Sequence, residues 1–334
     1  MFSGTAVTGL VRRGEEKLMN HSHVNESLPA EVEDWVKRGV DSRAEVVAVR
    51  RLQGGVSAIV QLVTLRIGED VWEVVLRRFH DKEWLENEPD LARHEAASLQ
   101  WAVRTGVRAP EILAYEESGQ VGGMPLVLMT KLEGTVLLQP RSMERWLDGL
   151  AAALASIHAV DADGFPWTYR PYQRLEAFMT PDWSPYTAEW EAIIRIGRGP
   201  RPSVRECFLH RDYHPTNVLW VEDEVSGVVD WVNACRGPAG ADVGHCRWNL
   251  AMLFGVAAAD AFLAAYERHA GERFRYEPYF DVRALLDVQY GPPEVYPGWT
   301  ALGMPGLTKK LMAERTNDLM LSILERARAA GLTG

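Results

Sequence analysis

The sequence predicts an α+β chain of two lobes: a small antiparallel β lobe with one inserted helix, then a larger, mainly helical lobe. Three observations carry this. Three β-compatible runs between residues 45 and 79 are separated by glycine-bearing turns. After Gly134 apolar residues recur at helical spacing, as in Trp146, Leu147, Leu150, Leu154 and Ile157. Inside that helical half, residues 218–229 revert to a short hairpin pattern flanked by Asp, Asn and His.

Taken in order, residues 1–28 read as a polar extension rich in Ser, Thr, Asn and Gly, without periodicity. A short helix is expected from Pro29 to Arg38. Strands are expected at Glu45 to Leu52, Ala58 to Ile67 and Val71 to Phe79, with turns at Gly54-Gly55 and Gly68-Glu69-Asp70. Leu91 to Val103 has helical spacing, and Ile112 to Tyr115 and Leu126 to Thr130 are short β runs. The first lobe therefore covers residues 29–133, with a hinge at its end, and the second covers 134–334. In the second lobe, Asp163 to Pro202 reads as helices joined by irregular loops. Helices return at His245 to Phe254, Ala259 to His269 and Lys309 to Ala329.

Composition bounds the function. With 334 residues, 47% hydrophobic and 25% charged, the chain has the make-up of a soluble globular protein. Its 36 basic and 46 acidic residues give a formal charge of -10. Lys and Arg form no stripe, which argues against a nucleic-acid partner. There is no apolar run of about 18 residues for a membrane span. Arg12, Arg13, Glu15, Glu16 and Lys17 interrupt any secretory apolar core. Cys207, Cys235 and Cys246 form no CxxC pair and read as buried free thiols of a reducing compartment. A cytoplasmic monomer or homodimer is the expectation.

The chemistry concentrates in His210-Arg211-Asp212-Tyr213-His214-Pro215-Thr216-Asn217 and the following Gly227-Val228-Val229-Asp230. Val218 to Val221 and Gly227 to Val229 are β-compatible around a polar turn, Glu222 to Ser226. If they pair, Asn217 and Asp230 become neighbours. An amide oxygen and a carboxylate suit magnesium, which takes hard oxygen ligands and usually shares its shell with substrate phosphates. Asp212 then stands free of metal as a candidate base. A carboxylate with pKa of about 4 is a weak base for an alcohol. In a loose phosphoryl-transfer transition state it need mainly orient the hydroxyl and accept a late proton.

Supporting features precede the loop. Gly54, Gly55, Val56 and Ser57 lie between two β runs, where a glycine turn lets backbone amides approach phosphates. In Val74-Val75-Leu76-Arg77-Arg78 adjacent arginines point to opposite faces, and Glu95 on the next helix is a partner for the inward one. In this order the elements resemble the aminoglycoside phosphotransferase and choline kinase-like family, which has a two-lobed protein-kinase-like fold. The resemblance spans about Val46 to Ala270. It implies that Asp212 is the catalytic base and that Asn217 and Asp230 hold Mg2+. Gly54, Gly55, Val56 and Ser57 form the nucleotide loop, Arg77 the phosphate-facing cation and Glu95 its ion-pair partner. It further implies that Thr130, Lys131 and Leu132 offer backbone to the base of ATP or GTP, and that Asp242 braces the metal loop. Arg77 replaces a usual lysine, and Arg211 stands where glycine is common. Asp230-Trp231-Val232 is not Asp-Phe-Gly and no Ala-Pro-Glu follows, so the implied acceptor is a small-molecule hydroxyl, an aminoglycoside or macrolide antibiotic among the options.

Two rival readings remain at this level. A nucleotide-binding pseudokinase would keep the fold without transfer, and only Arg77 speaks for it. A metal-dependent hydrolase would use His210, Asp212 and His214 as ligands, but no further ligands stand at motif spacing.

Overall fold

The computed structural model describes residues 26–52, 58–176, 178–289 and 291–332. They divide into two units. One runs to Val103 and includes Ala109–Leu132; the other comprises Arg104–Arg108 and everything from Glu133 onward.

The first unit is a five-stranded antiparallel sheet with helices against it. Its strands are β1 (Glu45–Arg51), β2 (Ala58–Ile67), β3 (Asp70–Phe79), β4 (Ile112–Glu116) and β5 (Leu126–Thr130), in spatial order β1-β2-β3-β5-β4. β5, flanked on both sides, is buried at every position, as its run of Leu, Val, Leu, Met and Thr requires. Helix α1 (Ala30–Val40) carries Glu31 and Glu33 in its first turn and Lys37 and Arg38 in its last, complementing the helix dipole. It buries Val32 and Val36, one turn apart, against Val63, Leu65, Val74, Leu76, Leu126 and Leu128. Short α2 (Lys82–Asn87) is capped by Asp81, which accepts from the Trp84 N–H at 3.0 Å. Helix α3 (Leu91–Ala102) packs on β4 and β5.

One detail departs from the sequence expectations. Glu26 donates its N–H to Val49 O at 3.0 Å and Leu28 joins the core, so the end of the expected extension belongs to this unit. The glycine turn at Gly54, Gly55, Val56 and Ser57 lies outside the described residues.

In the second unit, β6 (Thr135–Val136) precedes α4 (Met143–His158) and α5 (Thr187–Arg198). Then come β7 (Glu206–Leu209), β8 (Val218–Val221), β9 (Glu224–Val228) and β10 (Cys235–Pro238). Helices α6 (Ala239–Phe254), α7 (Val256–Ala270), α8 (Pro278–Asp287), α9 (Pro297–Ala301) and α10 (Lys309–Ala329) complete it. α4 packs on α7, and α6 lies between α7 and α8. The close approach of α6 to α8 needs glycine: a Cβ on Gly240 would meet Phe280 at 2.6 Å, and one on Gly244 would meet Ala284 at 2.9 Å.

Two small ladders shape the functional region. β7 pairs antiparallel with β10, Leu209 opposite Cys235, and β8 pairs with β9, Val218 opposite Val228. The loop 210–217 leaves one ladder and enters the other, and the return segment 229–234 runs back between the same two. The hairpin turn is tighter than the sequence suggests. β9 begins at Glu224, and Glu222, at φ 56°, makes the reversal. All three cysteines are buried and free. Among the described residues no helix is long and apolar enough to cross a membrane.

Candidate active site

The hairpin brings Asn217 and Asp230 together. Val229 donates its N–H to Asn217 O at 2.9 Å, which places Asp230 one residue beyond the last ladder bond. Asn217 Nδ2 donates to Asp212 O at 2.8 Å and approaches Asp212 Oδ2 at 3.2 Å. With the nitrogen so committed, Oδ1 is the remaining polar atom of the amide. An amide oxygen and a carboxylate on neighbouring backbone are a hard-oxygen donor pair that suits magnesium.

His210 ties the loop to the returning segment. Its Nε2 donates to Val229 O at 2.9 Å and its Nδ1 accepts from the Asp212 N–H at 3.3 Å. Both ring nitrogens are engaged, the residue is fully buried, and burial pushes its pKa down, so it is a neutral structural imidazole. That use removes His210 from the metal-hydrolase ligand set. The imidazoles that do stand at Asp212 are His245, whose Nε2 lies 3.1 Å from Oδ1, and His214, at 3.8 Å. Burial alone pushes the Asp212 carboxyl up, but the charges and hydrogen bonds of His214 and His245 outweigh it and hold it well below the usual carboxylate range.

Asp242, in the first turn of α6, braces the loop from behind. Its fully buried carboxylate accepts the N–H groups of His210 at 2.8 Å and Arg211 at 2.9 Å, and His158 Nε2 at 3.2 Å. Burial pushes its pKa up, and the hydrogen bond and charge of His158 reverse this to a net lowering. His158 in turn contacts the Tyr266 hydroxyl at 2.7 Å through Nδ1.

Two non-glycine residues of the site have left-handed backbone, Arg211 at φ 73° and Asp230 at φ 67°. This explains why glycine suits position 211. Here the strain is held by the guanidinium, which lies 3.7 Å from the Tyr172 ring centroid and reaches Asp287 at 3.3 Å and Arg170 O at 3.3 Å.

An aromatic chain extends from the loop. His245 neighbours Trp248 with centroids 6.5 Å apart, Trp248 neighbours Trp299 at 6.3 Å, and Trp299 neighbours Tyr296 at 5.7 Å. Burial, then the negative charges of Asp212 and Asp230, push the Tyr296 phenol up. Sequence reading missed Tyr296, Trp248 and the role of His245. A cavity of about 770 Å³ elsewhere in this unit is lined by Arg108, Glu144, Arg145, Asp148, Trp220 and Arg268, and touches none of Asp212, Asn217 or Asp230.

The expected nucleotide residues of the first unit form their own constellation. Arg77 Nη1 lies 2.9 Å from Glu95 Oε1, both nearly buried, on the α3 side of β3. Arg78 points to the opposite face, where burial pushes its pKa down and Glu26 opposes that. Arg77 is thus the arginine that faces Glu95. Thr130 commits its N–H to Glu111 O at 2.9 Å and its hydroxyl to the Glu111 N–H at 2.8 Å. Lys131 pairs with Glu73 at 2.7 Å, and Leu132 ends the unit, almost buried.

Homoserine kinase of Rhodopseudomonas palustris is 27% identical over 188 residues, 49% of this chain and 55% of that protein. The chain spans about half the length of the curated relatives it matches. Among solved structures, the macrolide 2'-phosphotransferase of Brachybacterium faecium is 19% identical with a TM-score of 0.54, covering 86% of this chain and 97% of its own. An aminoglycoside phosphotransferase solved with ADP and hygromycin B is 15% identical with a TM-score of 0.56, covering 89% and 98%. These neighbours share the protein-kinase-like fold, α+β with an antiparallel sheet before a helical region. The family profile itself matches residues 48–279, a span that begins in β1, includes the Asp212 loop and the Asp242 brace, and ends in α8. On that match the chain belongs to the phosphotransferase enzyme family.

Proposed function

We propose that this protein transfers the γ-phosphoryl group of ATP or GTP to a hydroxyl of a small molecule. The observation that carries the reading is the joining of Asp212, Asn217 and Asp230 through one hairpin, with Asn217 bonded to Asp212 and Asp230 next to the residue bonded to Asn217. That set separates the two tasks of phosphoryl transfer, holding a metal and receiving a proton. Asn217 Oδ1 and the Asp230 carboxylate would hold Mg2+, which when bound supplies positive charge to the phosphate oxygens. Asp212 would orient the acceptor hydroxyl and take its proton as the bond to phosphorus forms.

Arg77, fixed by Glu95, would serve as the phosphate cation, and its planar guanidinium offers two parallel donors where lysine offers a point charge. Gly54, Gly55, Val56 and Ser57 are the proposed nucleotide loop. Because Thr130 is committed to Glu111, Leu132 is left to offer backbone to the base edge. The neighbour bound to ADP and hygromycin B and the homoserine kinase relatives support a nucleotide donor and a hydroxylated acceptor. An aminoglycoside or macrolide is one such acceptor class. Tyr296 and Trp248 supply flat apolar surface on the Asp212 side, suited to stacking a ring or a cationic amine. Buried free thiols and a nucleotide donor support action in the cytoplasm.

The test is an ADP-release screen of hydroxylated antibiotics, amino alcohols and sugars with magnesium and ATP or GTP, run beside Asp212→Ala. Acceptor-dependent release that vanishes in the variant is expected. Nucleotide binding without transfer to any compound would instead favour a pseudokinase.

A further inference from the structure

The helix that braces the loop backbone also reaches its carboxylate. His245 stands three residues after Asp242 on α6, so both project from one side of that helix. Asp242 accepts the backbone N–H groups of His210 and Arg211, while His245 Nε2 lies 3.1 Å from Asp212 Oδ1. The other carboxylate oxygen, Oδ2, lies 3.2 Å from Asn217 Nδ2. Asp212 is therefore gripped at both oxygens by groups from different elements. His214 does not share this role equally: its Nε2 is 3.8 Å away, and its Nδ1 lies 2.9 Å from Thr216 Oγ1. One turn on, Asn249 donates its side-chain amide to His245 O at 3.1 Å.

We propose that His245 is a positioning residue for Asp212, its Nε2–H donating to Oδ1 and fixing the carboxylate plane toward the acceptor hydroxyl. The inference rests on the phosphotransferase reading above. The terminal torsion of an Asp side chain is broad and nearly two-fold, so a carboxylate held at one oxygen swings. Held at both, it keeps one lone-pair direction aimed at the incoming hydroxyl. In the step itself the hydroxyl oxygen forms a bond to the γ-phosphorus. The bond from that phosphorus to the bridging oxygen breaks, and its electron pair leaves with the nucleoside diphosphate. The hydroxyl proton passes to Asp212 and then to solvent. His245 touches neither substrate and keeps its own proton throughout. It lies well downstream of the Asp-Asn loop, in no motif that marks the loop.

Two measurements test this. Steady-state kinetics of wild type, His245→Ala and His245→Gln use ADP release with the best acceptor from the screen. Loss of orientation is expected to lower kcat of His245→Ala roughly tenfold to a hundredfold with nucleotide KM little changed. His245→Gln, whose amide places a donor near the same point, should recover most of the loss. Equal losses in both variants, an unaltered kcat, or a nucleotide KM rising in step would overturn the role, and thermal midpoints identify a variant that merely unfolds. The second measurement needs no turnover: long-range 15N–1H spectra of the imidazoles, with His245 assigned by its loss in His245→Gln. A protonated Nε2 whose resonance shifts in Asp212→Ala is expected; an unprotonated or unmoved Nε2 would overturn the contact. Absence of turnover in the wild type would count against the phosphotransferase reading, while the spectra still decide the His245 contact.

Discussion

Replacing Asp242 tests how the loop is held, and the size of the effect follows from its bonds. Asp242→Ala strips the acceptor from the N–H groups of His210 and Arg211, both in buried residues. A buried donor left without a partner costs about 1–3 kcal/mol, so two such groups cost about 2–6 kcal/mol. His158 also loses its Asp242 partner at Nε2 but keeps its Nδ1 contact with the Tyr266 hydroxyl. Against this, removing a fully buried carboxylate relieves part of its desolvation penalty. A net loss of about 3 kcal/mol is expected, a large share of the 5–15 kcal/mol by which domains are usually stable. Asp242→Asn keeps one acceptor oxygen and should lose roughly half as much. The assay is urea unfolding followed by tryptophan fluorescence. Trp231 is a suitable reporter, being buried with its ring centroid 4.6 Å from that of His210. An Ala variant within about 1 kcal/mol of wild type, or an Asn variant less stable than Ala, would refute the reasoning.

Other predictions follow from the same geometry. The folded-state pKa of Asp242 lies below its unfolded value of about 3.9, so its stabilisation is present above that pH and is lost as pH falls through the lowered value. Urea midpoints should therefore fall below roughly pH 4 in wild type and fall less steeply in Asp242→Asn; parallel curves would contradict this. Asp230→Ala should weaken magnesium-dependent nucleotide binding by about tenfold or more in calorimetry, with metal-free binding little changed. Arg211→Gly relieves about 1 kcal/mol of left-handed strain but loses the Tyr172 and Asp287 contacts. Asp287 keeps Arg283 at 2.9 Å, so a net destabilisation of about 1–2 kcal/mol is expected in urea, and a more stable variant would contradict it.

Much of the site was legible because its chemistry is local in sequence. Asp212 and Asn217 share one loop, and a β pattern returns Asp230 to it, so residue type and spacing suffice. Strand alternation set one of Arg77 and Arg78 toward Glu95 without saying which, and the structure shows that it is Arg77. What stayed hidden depends on tertiary contacts. The helix expected from His245 starts at Ala239, and Gly240 and Gly244 serve close packing on α8 rather than a turn. That hid the shared face of Asp242 and His245. α8 escaped detection because its buried side includes Asp281, Arg283 and Asp287, which are paired with Arg247, with Gln173 O and with Arg211 and so blur the apolar period. β9 was read as starting late because Glu224, Val225 and Ser226 are not an apolar run; Glu224 is exposed, and pairing with β8 makes them a strand.

The most direct test is to follow labelled γ-phosphate from ATP, with magnesium, onto an acceptor identified by the screen, in wild type and in Asp212→Ala. The account predicts labelled, phosphorylated acceptor from wild type and none from the variant, while both bind nucleotide alike. Labelled product at near-normal rate from Asp212→Ala would contradict the role assigned to this loop.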